Sequence, residues 1–232
     1  MEVIFSMSMT LAFDVYGTLV DPMGMSDLLR LEAGEEASSV AALWREKQLE
    51  FSFRKGLMRV YEDFGVCTRQ ALRYAMAVHG LALSKGREDE LMAAYLALPA
   101  FDDALPALKA LKGQYPLFAF SNGSYPALEK VLGHNDLLAQ FDGLVSVDDV
   151  KSFKPDPAVY TWARRATGAW DGALCLVSSN AWDVIGARAA GLSAIWVKRD
   201  AARVFEDWGI EPSAVIRSLS ELPQALAALP RH

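Results

Sequence analysis

A carboxylate that could act as a covalent nucleophile stands at Asp14, at the end of a short apolar run, and is followed by Gly17 and Thr18. A carboxylate at the tip of a buried strand can form an ester with its substrate, and the N–H groups of Val15 and Tyr16 would then line an anion site. The same Asp-x-x-Gly-Thr pattern is also typical of a strand that ends in an Asx-turn. The motif alone leaves both interpretations open.

Two further polar segments follow apolar runs and could bind an anion. The Ser-Asn-Gly-Ser segment at residues 121–124 offers the hydroxyl of Ser121, the amide of Asn122 and backbone donors. An Asn-Gly turn followed by a serine helix cap explains that segment as well. The Lys-Pro-Asp-Pro segment at residues 154–157 predicts a helix start, with the Asp as N-cap and a Pro at the first helical position. Because that explanation leaves Lys154 without a role, its ammonium group is a candidate site cation.

A fourth polar segment, at residues 178–183, contains Ser178, Asn180, Trp182 and Asp183. Asn180 with an acidic residue three positions later is similar to a capping box, which would make the segment the start of a helix. The segment also follows an apolar run, so the same side chains would face the ligand crevice of an α/β sheet. The two roles are compatible, because one residue can cap a helix and line a site.

Arg45 is predicted to lie on a helix at residues 38–61, away from the other charged residues of that helix. The charged strip consists of Glu46, Lys47, Glu50 and Arg54. At roughly 100° per residue, Arg45 falls about 155° from the centre of this strip. Arg45 therefore points with apolar neighbours toward whatever the helix covers. It is either a functional cation or a buried arginine bonded to carbonyl groups.

The strands that must position these residues are predicted from the apolar runs of the sequence. Five runs without polar alternation predict parallel strands buried on both faces, at residues 10–14, 116–120, 143–147, 173–177 and 193–197. Helices are predicted at residues 124–132, 156–166 and 181–190, with Gly133 and Gly191 as left-handed residues at helix ends. The alternation predicts an α/β fold with a Rossmann-like doubly wound parallel sheet. Its ligands bind outside the carboxyl ends of the strands, where the polar segments lie.

The chain between the first two predicted strands is too long for a simple crossover, which needs only about a dozen residues. It shows helical periodicity at residues 38–61, 68–79 and 85–98 and almost no strand signal. We therefore predict a helical cap subdomain at residues 21–98, inserted into a core formed by residues 1–20 and 99–232. Asp102 would cap the helix that leads back to the second strand.

Composition narrows the classes of function. The 232 residues are 52% apolar, and 23 basic against 29 acidic residues give a net charge of −6 without a basic stripe, so we expect no nucleic-acid partner. Residues 1–10 lack the basic start of a signal peptide, and no apolar run approaches the roughly 18 residues that span a bilayer. Cys67 and Cys175 are too few for a disulfide framework. We expect a cytoplasmic protein without membrane contact.

Together, these segments resemble the motifs of the L-2-haloacid dehalogenases, the type II branch of the haloacid dehalogenase superfamily. The matching core segments lie at residues 13–19, 121–124, 154–156 with Tyr160, and 177–183, and the segment at residues 42–50 is similar to the family's cap. The likeness runs from about residue 10 to beyond residue 200. Chance agreement at five separated segments in the right order is implausible.

The resemblance implies hydrolysis of short L-2-haloalkanoic acids to D-2-hydroxy acids with inversion, through an Asp14 ester that water then hydrolyses. Lys154 would keep Asp14 ionised, and Asp183 would activate the water. The implied catalytic residues are Asp14, Thr18, Lys154, Ser178, Asn180 and Asp183. The implied substrate- and halide-binding residues are Val15, Tyr16, Arg45, Ser121, Asn122, Tyr160 and Trp182. The implied partners are the 2-haloacid, water and the halide product, and the implied assembly is a homodimer.

Tyr16 separates this interpretation from a related one. Phosphatases of the superfamily carry an aspartate two residues after the nucleophile as general acid, and they use Mg²⁺ to neutralise phosphoryl charge. With tyrosine at this position the acid is missing, and displacement at carbon requires no metal, so we expect neither metal nor cofactor. Three alternatives remain: another leaving group at C2 of a small carboxylate, a Mg²⁺-dependent phosphatase or phosphonatase, and a non-catalytic small-anion-binding protein.

Overall fold

The computed structural model describes residues 9–169 and 173–229. The strands in these ranges are β1 (Thr10–Phe13), β2 (Leu117–Ser121), β3 (Gly143–Ser146), β4 (Leu174–Ser178), β5 (Ser193–Val197) and β6 (Ala214–Ile216). The helices are α1 (Met25–Ala33), α2 (Ala37–Met58), α3 (Phe64–Val78), α4 (Lys85–Tyr95), α5 (Ala104–Leu111), α6 (Tyr125–His134), α7 (Pro157–Thr167), α8 (Ala181–Ala189) and α9 (Leu222–Ala228). None of these helices combines the length and apolar character needed to cross a membrane. The signal-peptide prediction concerns residues 1–10, of which residues 1–8 lie outside the described residues.

The six strands form one parallel sheet in the order β3-β2-β1-β4-β5-β6. Strands β2 and β3 are added in turn on one side of β1. The chain then returns to the other side of β1 and adds β4, β5 and β6 there, so the strand order reverses at β1. Every residue of β1, β4 and β5 is buried, which explains their apolar composition on both faces. The predicted α/β fold with a doubly wound parallel sheet is confirmed, and its switch point lies at the end of β1.

The predicted strand boundaries agree with the structure to within one residue. The sequence does not predict β6, because its three residues include an exposed Val215 and form no apolar run. Gly191 follows α8 in the left-handed conformation with φ of 78°, as expected. The prediction for Gly133 is wrong: α6 continues through it to His134, and the left-handed residue is Asp136.

Four helices, α1 to α4, lie between β1 and β2. The sequence predicts three of them and misses α1. Helix α2 ends at Met58, where Arg59 adopts a left-handed conformation with φ of 57°. Helix α3 begins four residues earlier than predicted, because the side chain of Asp63 accepts a hydrogen bond from the N–H of Gly65 at 2.6 Å. The division between a cap at residues 21–98 and the surrounding core remains a prediction.

The helix that leads back to β2 is α5, and the prediction that Asp102 caps it is wrong. Helix α5 begins at Ala104, so Asp103 occupies the N-cap position, and its side chain makes no hydrogen bond to the helix N–H groups. The Asp103 carboxylate binds the guanidinium of Arg199 and the N–H of Leu219 instead. These tertiary partners are distant in sequence, which is why a local motif could not reveal them.

Candidate active site

Asp14 follows β1 directly, between the ends of β2 and β4, and four side chains hold its carboxylate. Oδ2 accepts hydrogen bonds from Thr18 Oγ1 at 2.8 Å, from Asn180 Nδ2 at 2.8 Å and from Ser178 Oγ at 3.3 Å. Oδ1 accepts one from Lys154 Nζ at 3.2 Å. The side chain of Asp14 is 7% exposed. The carboxylate is therefore fixed in orientation but retains an opening.

The loop after Asp14 folds back on itself and presents this carboxylate. The N–H groups of Thr18, Leu19 and Val20 all donate to the carbonyl of Val15, at 3.2, 2.8 and 3.1 Å. Gly17 permits the turn with φ of 90°, a conformation in which a side chain is strained. Among the described residues, the Asp14 carboxylate accepts hydrogen bonds from side chains only, so the Asx-turn interpretation is wrong.

Lys154 is completely buried and connects Asp14 to a second carboxylate. Its Nζ donates to Asp183 Oδ2 at 2.9 Å and to the carbonyl of Phe120 at 2.9 Å, in addition to Asp14. The ammonium group also lies 4.0 Å from the centre of the Phe120 ring. The backbone N–H of Lys154 donates to Asn122 Oδ1 at 2.9 Å, which ties the third predicted motif to the second. Burial of a charged group costs desolvation free energy, and pairing the ammonium group with two carboxylates offsets part of that cost.

Asp183 lies behind Lys154 and is fully shielded from solvent. Tyr160 donates its hydroxyl to Asp183 Oδ1 at 2.8 Å and lies within 3.2 Å of the carbonyl of Asp183. Burial raises the pKa of Asp183, and the charge of Asp14 adds to this, while Lys154 acts in the opposite direction. The structure thus places Tyr160 behind Asp183 and not on the cavity wall where we expected it.

Helix α8 begins after Asn180 as predicted, but the capping-box hydrogen bonds predicted for residues 178–183 are absent. Asn180 occupies the N-cap position of α8 without making a cap hydrogen bond. Its Nδ2 donates instead to Asp14 and, at 3.1 Å, to the carbonyl of Tyr16. The carboxylate of Asp183 binds Lys154 and Tyr160 and does not return to the helix start. These polar side chains therefore serve the site beside β1.

A small cavity of about 10 Å³ opens onto Asp14. This volume corresponds to about one water molecule. Its wall consists of Asp14, Tyr16, Arg45, Leu49, Phe64, Ser121, Asn122, Asn180 and Trp182. The helical insert and the sheet thus contribute to the same wall. The N–H groups of Val15, Tyr16 and Asn122 find no acceptor among the described residues, so they are available to an anion.

Arg45 reaches this cavity from α2 and is half-buried. Its Nη2 donates to the carbonyl of Tyr16 at 3.1 Å, and its Nη1 donates to Gln48 Oε1 at 2.6 Å. Among the described residues Arg45 has no carboxylate partner. The guanidinium therefore brings a positive charge to the cavity wall that also carries Asp14.

Three residues around Arg45 received no site role in the prediction from sequence, although Gln48 and Leu49 were placed on the same helix face. Leu49 and Phe64 line the cavity, and Gln48 is held by Tyr95 and Thr68 through hydrogen bonds of 2.9 and 2.6 Å. Gln48 lies three positions after Arg45 on the same helix face, so its spacing was a usable signal. Phe64 is the first residue of α3, and nothing local distinguishes it from a core residue.

A second, larger cavity of about 600 Å³ lies between the helices α3, α4 and α6. Asp14, Lys154 and Asp183 do not line it, and of the residues that the structure describes only Tyr16 and Phe64 line both cavities. We assign the chemistry to the small cavity, because that is where the ionised groups and free N–H donors converge.

The chain thus combines a doubly wound parallel core, a fixed carboxylate at its switch point and helices inserted between β1 and β2 that line the same cavity. A family model described as haloacid dehalogenase-like hydrolase matches residues 9–191. The chain belongs to the haloacid dehalogenase-like hydrolase family.

Relatives and solved structures agree with this assignment over almost the whole chain. The chain is 38% identical to the (S)-2-haloacid dehalogenase H-109 of Pseudomonas putida, over 91% of this chain and 95% of the relative. It is 39% identical to the (S)-2-haloacid dehalogenase of Pseudomonas sp. (strain YL), over 90% of each. The structure of an L-2-haloacid dehalogenase from Xanthobacter autotrophicus with chloropropionic acid covalently bound superimposes with a TM-score of 0.90 at 28% identity, over 96% of this chain and 100% of that one.

Proposed function

We propose that this chain is a hydrolytic dehalogenase that converts short L-2-haloalkanoic acids into D-2-hydroxy acids with inversion at C2. The observation that carries the proposal is Asp14, a carboxylate on the cavity wall that four side chains hold in one orientation. Pure anion binding would not need this group. The proposal also draws on relatives named (S)-2-haloacid dehalogenases and on the related structure with covalently bound chloropropionic acid.

Asp14 attacks C2 of the substrate through Oδ1. Among the described residues, Oδ2 accepts three hydrogen bonds, whereas Oδ1 accepts only that of Lys154 and keeps a lone pair free. The new C2–O bond forms opposite the halide, and the electron pair of the carbon–halogen bond leaves with the halide. Fixed alignment of nucleophile and carbon can contribute about 7–11 kcal/mol to the barrier reduction.

The substrate carboxylate binds where backbone donors are free. Ser121 and the N–H groups of Val15, Tyr16 and Asn122 supply these donors beside Asp14. The departing halide lies toward Arg45, Asn122 and Trp182, which line the same cavity. Because the halide gains charge only as its bond breaks, donors at this position stabilise the transition state more than the ground state.

Hydrolysis of the ester regenerates the enzyme. Water attacks Cγ of Asp14, and the donors Thr18, Ser178 and Asn180 stabilise the charge that develops on Oδ2. Asp183 takes up one proton of the water through the cluster that it forms with Lys154. The bond from Cγ to Oδ1 then breaks, the leaving oxygen of Asp14 takes that proton back and becomes the hydroxyl of the product, and the oxygen of the water replaces it in Asp14, whose new carboxyl group releases the second proton. The sum is haloacid plus water to hydroxy acid, halide and a proton.

Substrate entry requires that the insert move relative to the core, because a cavity of about 10 Å³ does not hold a haloacid. Two contacts would open with it. Phe53 of α2 packs edge-on against Trp182 with ring centres 5.0 Å apart, and Tyr61 donates to Asp148 at 2.8 Å. We assign the cap role to residues 21–98 on this basis. A homodimer remains an expectation from the resemblance, and a cytoplasmic location remains an expectation from the composition of the sequence.

The test is halide release from both enantiomers of 2-chloropropionate and from mono-, di- and fluoroacetate. We expect release from the (S) enantiomer and formation of (R)-lactate, with Asp14→Asn as the inactive control. A panel of 2-substituted acids with other leaving groups separates the first alternative, which would use the same Asp14 ester. Turnover of phosphate esters without halide release from any haloacid would refute the proposal.

A further inference from the structure

Arg199, which the proposed reaction does not use, binds the catalytic loop from outside the cavity. It follows β5, and its Nε donates to the carbonyl of Thr18 at 3.0 Å, with Nη2 donating to the same oxygen. The other side of the guanidinium binds both carboxylate oxygens of Asp103, at 3.3 and 3.0 Å. The guanidinium carbon lies 3.8 Å from the centre of the Phe101 ring. The planar group is thus held on three sides.

The C-terminal part of the chain completes this arrangement. Asp103 Oδ2 also accepts hydrogen bonds from Ser218 Oγ and from the N–H of Leu219, both at 2.9 Å. Burial would raise the pKa of Asp103, but its hydrogen bonds to Arg199 and Leu219 outweigh burial and lower it. Asp103 is therefore a dependable anion at neutral pH, and Arg199 is anchored by it.

Thr18 joins this anchor to the nucleophile. Thr18 is completely buried. Its hydroxyl donates to Asp14 Oδ2 at 2.8 Å and accepts from the N–H of Ser179 at 2.9 Å, while its carbonyl takes the hydrogen bonds of Arg199. Removing the guanidinium of Arg199 would leave the carbonyl of Thr18 without this hydrogen-bond donor. That carbonyl belongs to the turn that fixes the position of the Thr18 hydroxyl.

We propose that Arg199 is a positioning residue for the nucleophile, acting through the carbonyl of Thr18, with Asp103 and Leu219 as its anchor. The proposal rests on the proposed function of Asp14. Arg199 is not part of the cavity wall, so it touches neither substrate nor halide. Its loss should therefore slow the chemistry and leave substrate binding nearly unchanged.

The first arm compares Arg199→Met and Arg199→Lys with Arg188→Met in the full-length protein. Arg188 is a matched control, because it is likewise an arginine that donates to backbone carbonyls, those of Glu211 and Leu192, but at the far end of α8. For (S)-2-chloropropionate we expect Arg199→Met to lower kcat by about 10- to 100-fold with KM within about 3-fold, the scale of a nucleophile misplaced by a fraction of an ångström. Arg199→Lys should recover little, because one ammonium group cannot serve Thr18 and Asp103 in the same fork. An unchanged kcat, or equal losses in the Arg188 control, would overturn the proposal.

The second arm tests the route through Thr18. In a Thr18→Val background, Arg199→Met should lower kcat by less than about 3-fold further, because the hydroxyl that Arg199 positions is already absent. Full additivity of the two losses would contradict the route.

The third arm does not depend on turnover. Hydrogen exchange of the amides at residues 17–20, which close the loop after Asp14, should accelerate in Arg199→Met and stay unchanged in Arg188→Met. If the wild type released no halide, the proposed function would fail, and unchanged exchange would still overturn the role of Arg199 independently.

Discussion

The ammonium nitrogen of Lys154 lies 2.9 Å from Oδ2 of Asp183, and neither side chain is accessible to solvent. The same nitrogen lies 3.2 Å from Oδ1 of Asp14, so one cation fills the space between the two carboxylates. A buried charge that loses its partner is strongly destabilising, at about 3–5 kcal/mol. The arrangement therefore determines both the electrostatics of the site and the stability of the fold around it.

This arrangement predicts activity without a divalent metal. Lys154 already supplies the positive charge between Asp14 and Asp183, and Tyr16 stands where a phosphatase would carry its acid. Halide release from (S)-2-chloropropionate should keep its full rate after exhaustive chelation and should not respond to added Mg²⁺. Loss of turnover in chelator that Mg²⁺ restores would show that this interpretation of Tyr16 is wrong.

The pair formed by Tyr160 and Asp183 predicts a shift in the pH profile. Asp183 must be ionised to accept a proton, and burial already raises its pKa. The Tyr160 hydroxyl stabilises the ionised form from 2.8 Å, so Tyr160→Phe should raise that pKa further. The acid limb of kcat should therefore move to higher pH, with little change well above it.

The matched control for this shift is Tyr125→Phe, since Tyr125 donates to Asp149 at 2.6 Å on the surface. That variant should leave the acid limb in place. Because the carboxylates and Lys154 titrate as a cluster, the profile gives apparent values for the cluster and not for one residue. An unshifted limb in Tyr160→Phe would remove Asp183 from the rate-determining proton transfer.

Isotope labelling distinguishes a covalent role of Asp14 from a general-base role. In a single turnover with excess enzyme in heavy-oxygen water, the label should enter the carboxylate of Asp14. The hydroxy acid should carry the unlabelled oxygen of the enzyme, because the Cγ–Oδ1 bond breaks during hydrolysis. Mass spectrometry of the product and of the peptide that contains Asp14 gives both measurements. Label in the first-turnover product would mean that water attacks C2 directly.

Two helical glycines predict opposite effects on stability. A Cβ on Gly186 would lie 2.6 Å from both Tyr160 Oη, which donates to Asp183, and Pro155 Cβ, which follows Lys154 in the chain. Gly186→Ala should therefore cost about 1–3 kcal/mol of unfolding free energy and reduce kcat.

Gly133→Ala is the control, since Gly133 is exposed in α6 and a Cβ added there would meet no atom within 4 Å. It should stabilise by about 0.5–1 kcal/mol, because alanine favours a helix. Thermal or urea unfolding measures both, and equal effects would contradict the packing argument.

The sequence predicts most of the sheet because β1, β4 and β5 are apolar without alternation. Short runs of this kind are typical of parallel strands that are buried on both faces. It also locates Asp14, because parallel strands bring their carboxyl ends to one edge. What it cannot show depends on tertiary contacts. The position of Tyr160 behind Asp183 follows from how α7 packs on α8, and the binding of Arg199 to Thr18 joins residues 181 positions apart.

The direction of the Arg45 side chain could be predicted from helix periodicity alone. Its angular distance from the charged strip predicts an inward direction, and the structure places its guanidinium on the cavity wall. The two alternatives for Arg45, a functional cation and a buried arginine bonded to carbonyls, are not exclusive here. It does donate to the carbonyl of Tyr16, at 3.1 Å, but it does so beside Asp14 and without a carboxylate partner among the described residues.

Arg45 should therefore stabilise the departing halide. Its guanidinium offers fixed donors to an anion that gains charge as the carbon–halogen bond breaks, so Arg45→Ala should lower kcat and kcat/KM together, by about 10²–10³-fold. Arg45→Lys should recover little, because a point charge on a flexible stem does not reproduce the planar fork. Lys47→Ala is the control on the same helix, since Lys47 pairs with Glu46 and Glu50.

The loss of rate in Arg45→Ala should depend on which halide leaves. The loss in Arg45→Ala should be smallest for 2-iodopropionate and largest for 2-chloropropionate, because a poorer leaving group needs more stabilisation of its developing charge. The fold should survive, since Arg45 is only half-buried at the junction between the insert and the sheet. Rates across the halide series and circular dichroism of the variant measure the two effects. An equal loss for all halides would show that Arg45 does not contact the leaving group, and an unfolded variant would favour a purely structural role.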